Sequence, residues 1–180
     1  MGHNLDDSTD MKIQVLIHPN IEPGSEARES TMKILNTLLA DEAVLAMKTH
    51  RARSRAHGPG FFEMQTLFDQ QIHQLNKVSD EIAERVRMLG GFAISSFEEF
   101  LRYARLEELP GEAPELMGLL ADHEAFIRSL REDARKCSEE YEDEGTFELL
   151  VPFMRQHEKM AWMLRSYIEP ELPHEEKMVA

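Results

Sequence analysis

The sequence has 180 residues, 42% hydrophobic and 30% charged, and carries a formal net charge of −14. That length suits one well-buried domain, and the excess of acid opposes a general attraction to nucleic-acid phosphate, which needs clustered Lys and Arg. No apolar run is long enough to span a membrane, the opening MGHNLDDSTDMKIQ lacks the pattern of a secretory signal, and the single Cys137 has no disulfide partner within the chain, so a reducing cytoplasm is the expected compartment.

Residues 1–24 read as an irregular tail, broken by His18-Pro19 and Pro23-Gly24. A first helix is predicted from about Ser25 to Ala56, with Ile34, Leu35, Leu38, Leu39, Val44, Leu45 and Met47 on its buried face. Its end, KTHRARSR, gathers Lys48, Arg51, Arg53 and Arg55. Such a patch is either an internal ion-pair partner or solvated helix end, or a local nucleic-acid contact, and the former is favoured. His50, Arg53 and His57 fall at i, i+3 and i+7, on one helical face. Gly58-Pro59-Gly60 then breaks the pattern.

The stretch from Phe61 to Gly91 reads as one long helix. Phe61, Met64, Phe68, Ile72, Leu75, Ile82, Val86 and Leu89 recur in steps of three, four and seven, the mark of a single buried stripe. A second stripe is polar. Asp69 and Asp80 stand eleven residues apart, which at roughly 100° per residue returns them to within about 20° of each other. Gln65 precedes Asp69 by four and Glu84 follows Asp80 by four, so the four share a flank. Gly90-Gly91 supplies a C-terminal stop.

A connector of about twenty residues follows, in which Ser95 with Glu98, or Ser96 with Glu99, fits a capping box. Phe97, Phe100, Leu101 and Ala104 give it a short amphipathic helix. The third long helix is predicted from near Pro114 to about Tyr141, burying Leu116, Leu119, Leu120, Ile127, Leu130 and Ala134. The acidic turn SEEYEDEG leads to a fourth helix, with Thr146 as N-cap, that continues to about Ile168 through Leu149, Phe153, Met160, Met163 and Leu164. Pro152 is expected to kink its first turns or to move its start later. Residues 169–180 are too broken by proline to extend it. The fold class is therefore all-α, a ferritin-like four-helix bundle over residues 25–168 with a short helix in the long middle crossover.

Four segments, ILNTLLADEAVLAMKTH, LFDQQIHQLNKVSDEIAERVRMLGG, LLADHEAFIRSLRE and MRQHEKMAWMLRSYIE, resemble in order the four helices of the Dps family of mini-ferritins, over roughly residues 20–168. The resemblance implies a dodecameric shell that takes up ferrous iron as substrate, oxidises it with peroxide or oxygen, and stores a ferric mineral core. In that family oxidation takes place at the two-fold dimer interface, where two histidines and one acid of one subunit meet an acid pair of its neighbour. The three acids match Asp69, Asp80 and Glu84, but the histidine positions fall on Arg53 and Gln65. A guanidinium cannot ligate a metal. The expectation is that Arg53 makes an ion pair with Asp80 and Glu84 of a neighbouring subunit, so that the conventional centre is weak, or holds no metal at all, and ferroxidase activity is in question.

A rival expectation keeps an active ferroxidase through a relocated site, with His50, His57 or His73 joining Asp69. Family positions lining a three-fold iron-entry pore fall on or near Glu139, Glu144 and Glu148, all acidic here, while the plainer reading of that run is a solvated face. Cys137 reads as a small semi-buried residue. DNA compaction is disfavoured by the acidic balance, and no membrane partner is expected.

Overall fold

The computed structural model describes residues 19–109, 111 and 115–169. The two predicted tails fall largely outside that range, as does Pro114. The described chain forms five helices, α1 (Ser25–Arg55), α2 (Phe61–Met88), α3 (Phe97–Tyr103), α4 (Leu116–Glu139) and α5 (Glu144–Ile168). They make two helical hairpins, α1 against α2 and α4 against α5, closed on each other mainly through α1 and α4, with α3 lying on α1.

The ends of the elements follow from local chemistry. α2 stops because Leu89 caps it and Gly90 turns left-handed at φ +93°, which lets the Gly91 amide reach the Val86 carbonyl and the Gly90 amide that of Arg87. Of the two possible capping boxes the chain uses Ser96 with Glu99: the Ser96 hydroxyl accepts the Glu99 amide, and the Glu99 carboxylate accepts the Ser96 amide at 3.0 Å.

Three predicted boundaries shift. α4 starts at Leu116 and ends at Glu139, inside the predicted span. The N-cap of α5 is Asp143 rather than Thr146, because the Asp143 carboxylate accepts both the Thr146 amide (2.9 Å) and its hydroxyl (2.7 Å), leaving Thr146 in the first turn. The helix therefore begins earlier than expected and runs on through Pro152, which lacks the donor that would reach the Glu148 carbonyl.

The core holds most of the predicted apolar stripes. Leu35, Leu38, Leu45, Leu75, Ile82, Leu119, Leu130, Phe153 and Leu164 are all but inaccessible, whereas Phe61 and Met47, expected inside, are exposed at 36% and 47%. Cys137 is fully buried, and burial, helped by Asp143 and Asp133, pushes its thiol up to about 12, so it is an inert core residue.

The middle crossover is held down by polar groups of α1. Asp41, 1% exposed, accepts the Arg105 amide (2.5 Å), the Arg105 Nε (2.8 Å) and the Leu106 amide (3.0 Å), and Arg105 also donates from Nη1 to Asp133 of α4 at 2.8 Å. Asn36 accepts the Ile94 amide at the start of the crossover. Lys48 donates to the Glu107 carbonyl and pairs with Asp122 of α4 at 2.5 Å, and Arg51 pairs with Glu108. Removing one member of such a buried set strands the others. Asp41→Ala is expected to destabilise the protein by about 2–4 kcal/mol in urea unfolding, against well under 1 kcal/mol for Glu98→Ala in the exposed i,i+4 pair with Arg102.

Candidate functional site

The acidic flank of α2 is in place. Asp69, Asp80 and Glu84 are exposed on it, and Gln65 is half-buried at its N-terminal end. The turn Ala56 to Gly60 brings the end of α1 back against the start of α2, so Arg53 lies over Asp69 of the same chain. The Arg53 Nε sits 2.5 Å from Asp69 Oδ1 as an ion-pair contact without hydrogen-bond alignment, and Nη2 donates to Oδ2 at 3.2 Å. Gln65 is committed as well, its Nε2 donating to the Arg53 carbonyl at 2.6 Å. Arg53, Gln65 and Asp69 thus form one closed set, with both Asp69 oxygens facing a guanidinium.

The remaining predicted residues are spread out. His50, on the last turns of α1, and His57, within the turn itself, are both exposed, and the His57 Nδ1 lies 2.9 Å from the Arg55 carbonyl. His73 is exposed and lines a groove of about 360 Å³ between α2 and α5, whose walls are Gln70, Gln74, Gln156 and Lys159 and whose floor includes Met160. No carboxylate lines that groove. Among the described residues of one chain, no three His, Cys, Asp or Glu side chains are grouped so as to hold a metal ion. The donor set around Asp69 within a single chain does not fit an iron ion, because its nearest neighbour is a cation that cannot give up its proton.

Glu139, Glu144 and Glu148 are exposed around the α4–α5 turn. That turn is fixed from α2: Arg85 donates from Nη2 to Asp143 at 2.6 Å and from Nε to the Thr146 hydroxyl at 2.9 Å. Gly145 packs against the same guanidinium, where an added Cβ would sit 2.9 Å from Nη2.

The basic patch at the end of α1 is mostly consumed internally. Lys48, Arg51 and Arg53 pair with Asp122, Glu108 and Asp69, and Arg55 alone of the four is exposed. Sequence reading passed over a different group. Glu42, His123 and His157 are wholly buried, with His157 in hydrogen-bond contact with each of the other two. Their signal was present: each occupies a core position of an apolar stripe, Glu42 between Leu38 and Leu45, His123 between Leu119 and Phe126, and His157 between Phe153 and Met160.

Comparison with known proteins gives a consistent picture. The family model for the ferritin-like domain matches residues 32–171. An uncharacterized low temperature-induced protein of Nostoc sp. is 40% identical over 83% of this chain and 86% of its own length. The DNA protection during starvation protein 2 of Bacillus anthracis is 30% identical over 78% of this chain and 97% of its own. Among solved structures, DpsC from Streptomyces coelicolor superposes with a TM-score of 0.81 at 26% identity, covering 89% of this chain and 95% of that one. A Dps protein from Vibrio cholerae, described as one of the ferritin-like diiron-carboxylate proteins, gives 0.77 at 26% identity, covering 87% and 99%.

The Arg53–Asp69 pair is half exposed, so its loss is expected to cost little stability. Arg53→Ala should lower stability by about 1 kcal/mol or less in chemical unfolding, while leaving the helical circular-dichroism signal unchanged.

Proposed function

Because this chain belongs to the ferritin-like domain family, and within it to the Dps proteins, we propose that it forms a Dps-type shell that handles iron and protects against peroxide, with a weakened oxidation centre. The shell is a homododecamer with two-fold dimer interfaces. Ferrous iron is its substrate, and a ferric mineral is its stored product.

The observation that carries the weakened centre is the closed set of Arg53, Gln65 and Asp69. Imidazole donors help complete and orient a ferrous site that keeps open positions. Here the resemblance puts an arginine and a glutamine at those two positions, and both side chains are engaged, Arg53 with the acid that remains and Gln65 with the backbone. Asp80 and Glu84 stay exposed about three and four turns further along α2 from Asp69, where a neighbouring subunit would meet them. Arg53 offers that neighbour a fixed positive charge in place of a divalent ion, so the interface is neutralised without iron. The guanidinium already holds Asp69, and reaching Asp80 and Glu84 of a neighbour would make it the centre of a three-acid cluster.

Iron then enters and mineralises without a fast, stoichiometric oxidation step. Glu139, Glu144 and Glu148, exposed at the turn that Arg85 braces, supply the negative potential for entry. The names of the relatives speak of DNA protection, and we assign that role here to removal of iron and peroxide rather than to DNA binding. The chain is acidic, and three of the four basic residues clustered at the end of α1 are tied up in ion pairs. No helix among the described residues is long and apolar enough to cross a membrane.

Stopped-flow ferrous oxidation tests the reading directly. The wild-type protein is expected to show no fast phase that saturates at a fixed number of irons per subunit, and the Arg53→His, Gln65→His double variant to gain one, at least tenfold faster. Tight anaerobic ferrous binding by the wild type that vanishes in Asp80→Ala, Glu84→Ala would overturn it. The pore assignment predicts separately that replacing Glu139, Glu144 and Glu148 with Gln slows iron accumulation several-fold without changing the assembled mass.

A further inference from the structure

The buried polar group that joins the two hairpins has no part in the iron chemistry described above. Glu42 comes from α1, and His157 and His123 come from α5 and α4, so the set crosses the seam between the hairpins. His157 Nε2 lies 2.8 Å from Glu42 Oε1, and His157 Nδ1 lies 3.1 Å from His123 Nδ1. All three side chains are completely inaccessible, and the Phe126 ring covers that of His157 at 4.4 Å between centroids. Two ring nitrogens this close share a single proton, because two bare nitrogens or two N–H groups would repel. At the two ends, Glu42 Oε2 and His123 Nε2 have no protein partner.

We propose that the Glu42–His157–His123 chain is a pH-sensitive latch between the hairpins, closed when the three groups together are uncharged and weakened when acid adds protons to them. In the closed state the Glu42 carboxyl donates to His157 Nε2, His157 Nδ1–H donates to His123 Nδ1, and His123 keeps its own Nε2–H. Three protons serve three groups, and the sum of charges is zero. An extra proton leaves an imidazolium in the core with no counter-charge free to meet it. The surroundings are already committed. Asp41, beside Glu42 on α1, is bound to Arg105, which also holds Asp133 of α4. Asp122, beside His123 on α4, is paired with Lys48 of α1. From α2 comes the neutral Gln71, whose amide donates to the Met160 carbonyl one turn along α5 from His157.

The direction of each shift agrees with that geometry. Burial, with Asp41 adding, pushes the Glu42 carboxyl well above its ordinary 4.5. Burial, with His157 adding, holds His123 well below 6.5, and burial alone brings His157 down to about 3. Wherever the raised Glu42 carboxyl still holds its proton above the histidines' ordinary 6.5, the folded chain keeps one proton that the unfolded chain has released, so stability falls as pH rises. Between 6.5 and 4.5 the unfolded chain holds two extra histidine protons and lacks the Glu42 proton, a net of one, so stability falls as pH drops. Below 4.5 the unfolded chain gains the Glu42 proton as well and the loss steepens, until the buried rings themselves take up protons, His157 near 3. The latch therefore contributes most near pH 6.5. Its contribution to the folding constant falls about tenfold per pH unit just below that point and more steeply below 4.5.

The test compares unfolding constants of the full-length protein and Glu42→Gln from pH 4 to 8, at one protein concentration. Glu42→Gln is expected to lose the decline above pH 6.5, and its dependence between 6.5 and 4.5 should steepen by a further tenfold per unit relative to wild type. Identical profiles for the two proteins would overturn the proposal. A second measurement needs no variant: imidazole C2-hydrogen exchange of wild-type His123 and His157, followed by mass spectrometry, should show for both rings a titration midpoint shifted well below the ordinary 6.5. A midpoint near 6.5 for either ring would equally sink the idea.

Discussion

Polar side chains of α1 that lie inside the protein decide how the other helices are arranged. A buried charge or amide without a partner costs several times what an ordinary hydrogen bond contributes, so each such group on α1 dictates what must come to it. Asn36 draws in the start of the crossover, Asp41 its end through Arg105, and Lys48 the Glu107 carbonyl. Glu42 and Lys48 reach the second hairpin through His157 and Asp122. Apolar burial supplies the drive to collapse, but it is not directional. These contacts give the two hairpins one relative placement.

The same placement constrains the exposed acidic flank of α2. Because the turn between α1 and α2 is short, the end of α1 is folded back beside Asp69, and whatever stands at position 53 must interact with that acid. A neutral imidazole there would leave Asp69 able to share a cation. A guanidinium takes both of its oxygens. The substitution thus works through geometry that the rest of the fold enforces, and the local ion pair is worth little to stability because half of it is wet.

Much of this was legible in the residues. The five helices, the double-glycine stop after α2, the capping box of α3 and most of the core stripes follow from periodicity and short-range chemistry, as does the shared flank of Gln65, Asp69, Asp80 and Glu84. The partner of Arg53 was not. Sequence spacing says that Arg53 and Asp69 each lie on a helical face, but only the turn at Ala56 to Gly60 sets which acid the guanidinium reaches within its own chain. The start of α5 was misplaced for a related reason: Thr146 and Asp143 are both good caps, and the Arg85 contact from α2 holds Asp143 in that role.

By itself, then, the sequence determined the helices, the sides they bury and the kinds of group available for iron, because those depend on neighbours within one or two turns. Tertiary structure alone decided that Lys48 and Arg51 are internal ion-pair partners and that Glu42, His123 and His157 meet. The three members of that set lie on three helices, 34 to 115 residues apart. Their contact comes from the closing of one hairpin on the other, which no local pattern encodes.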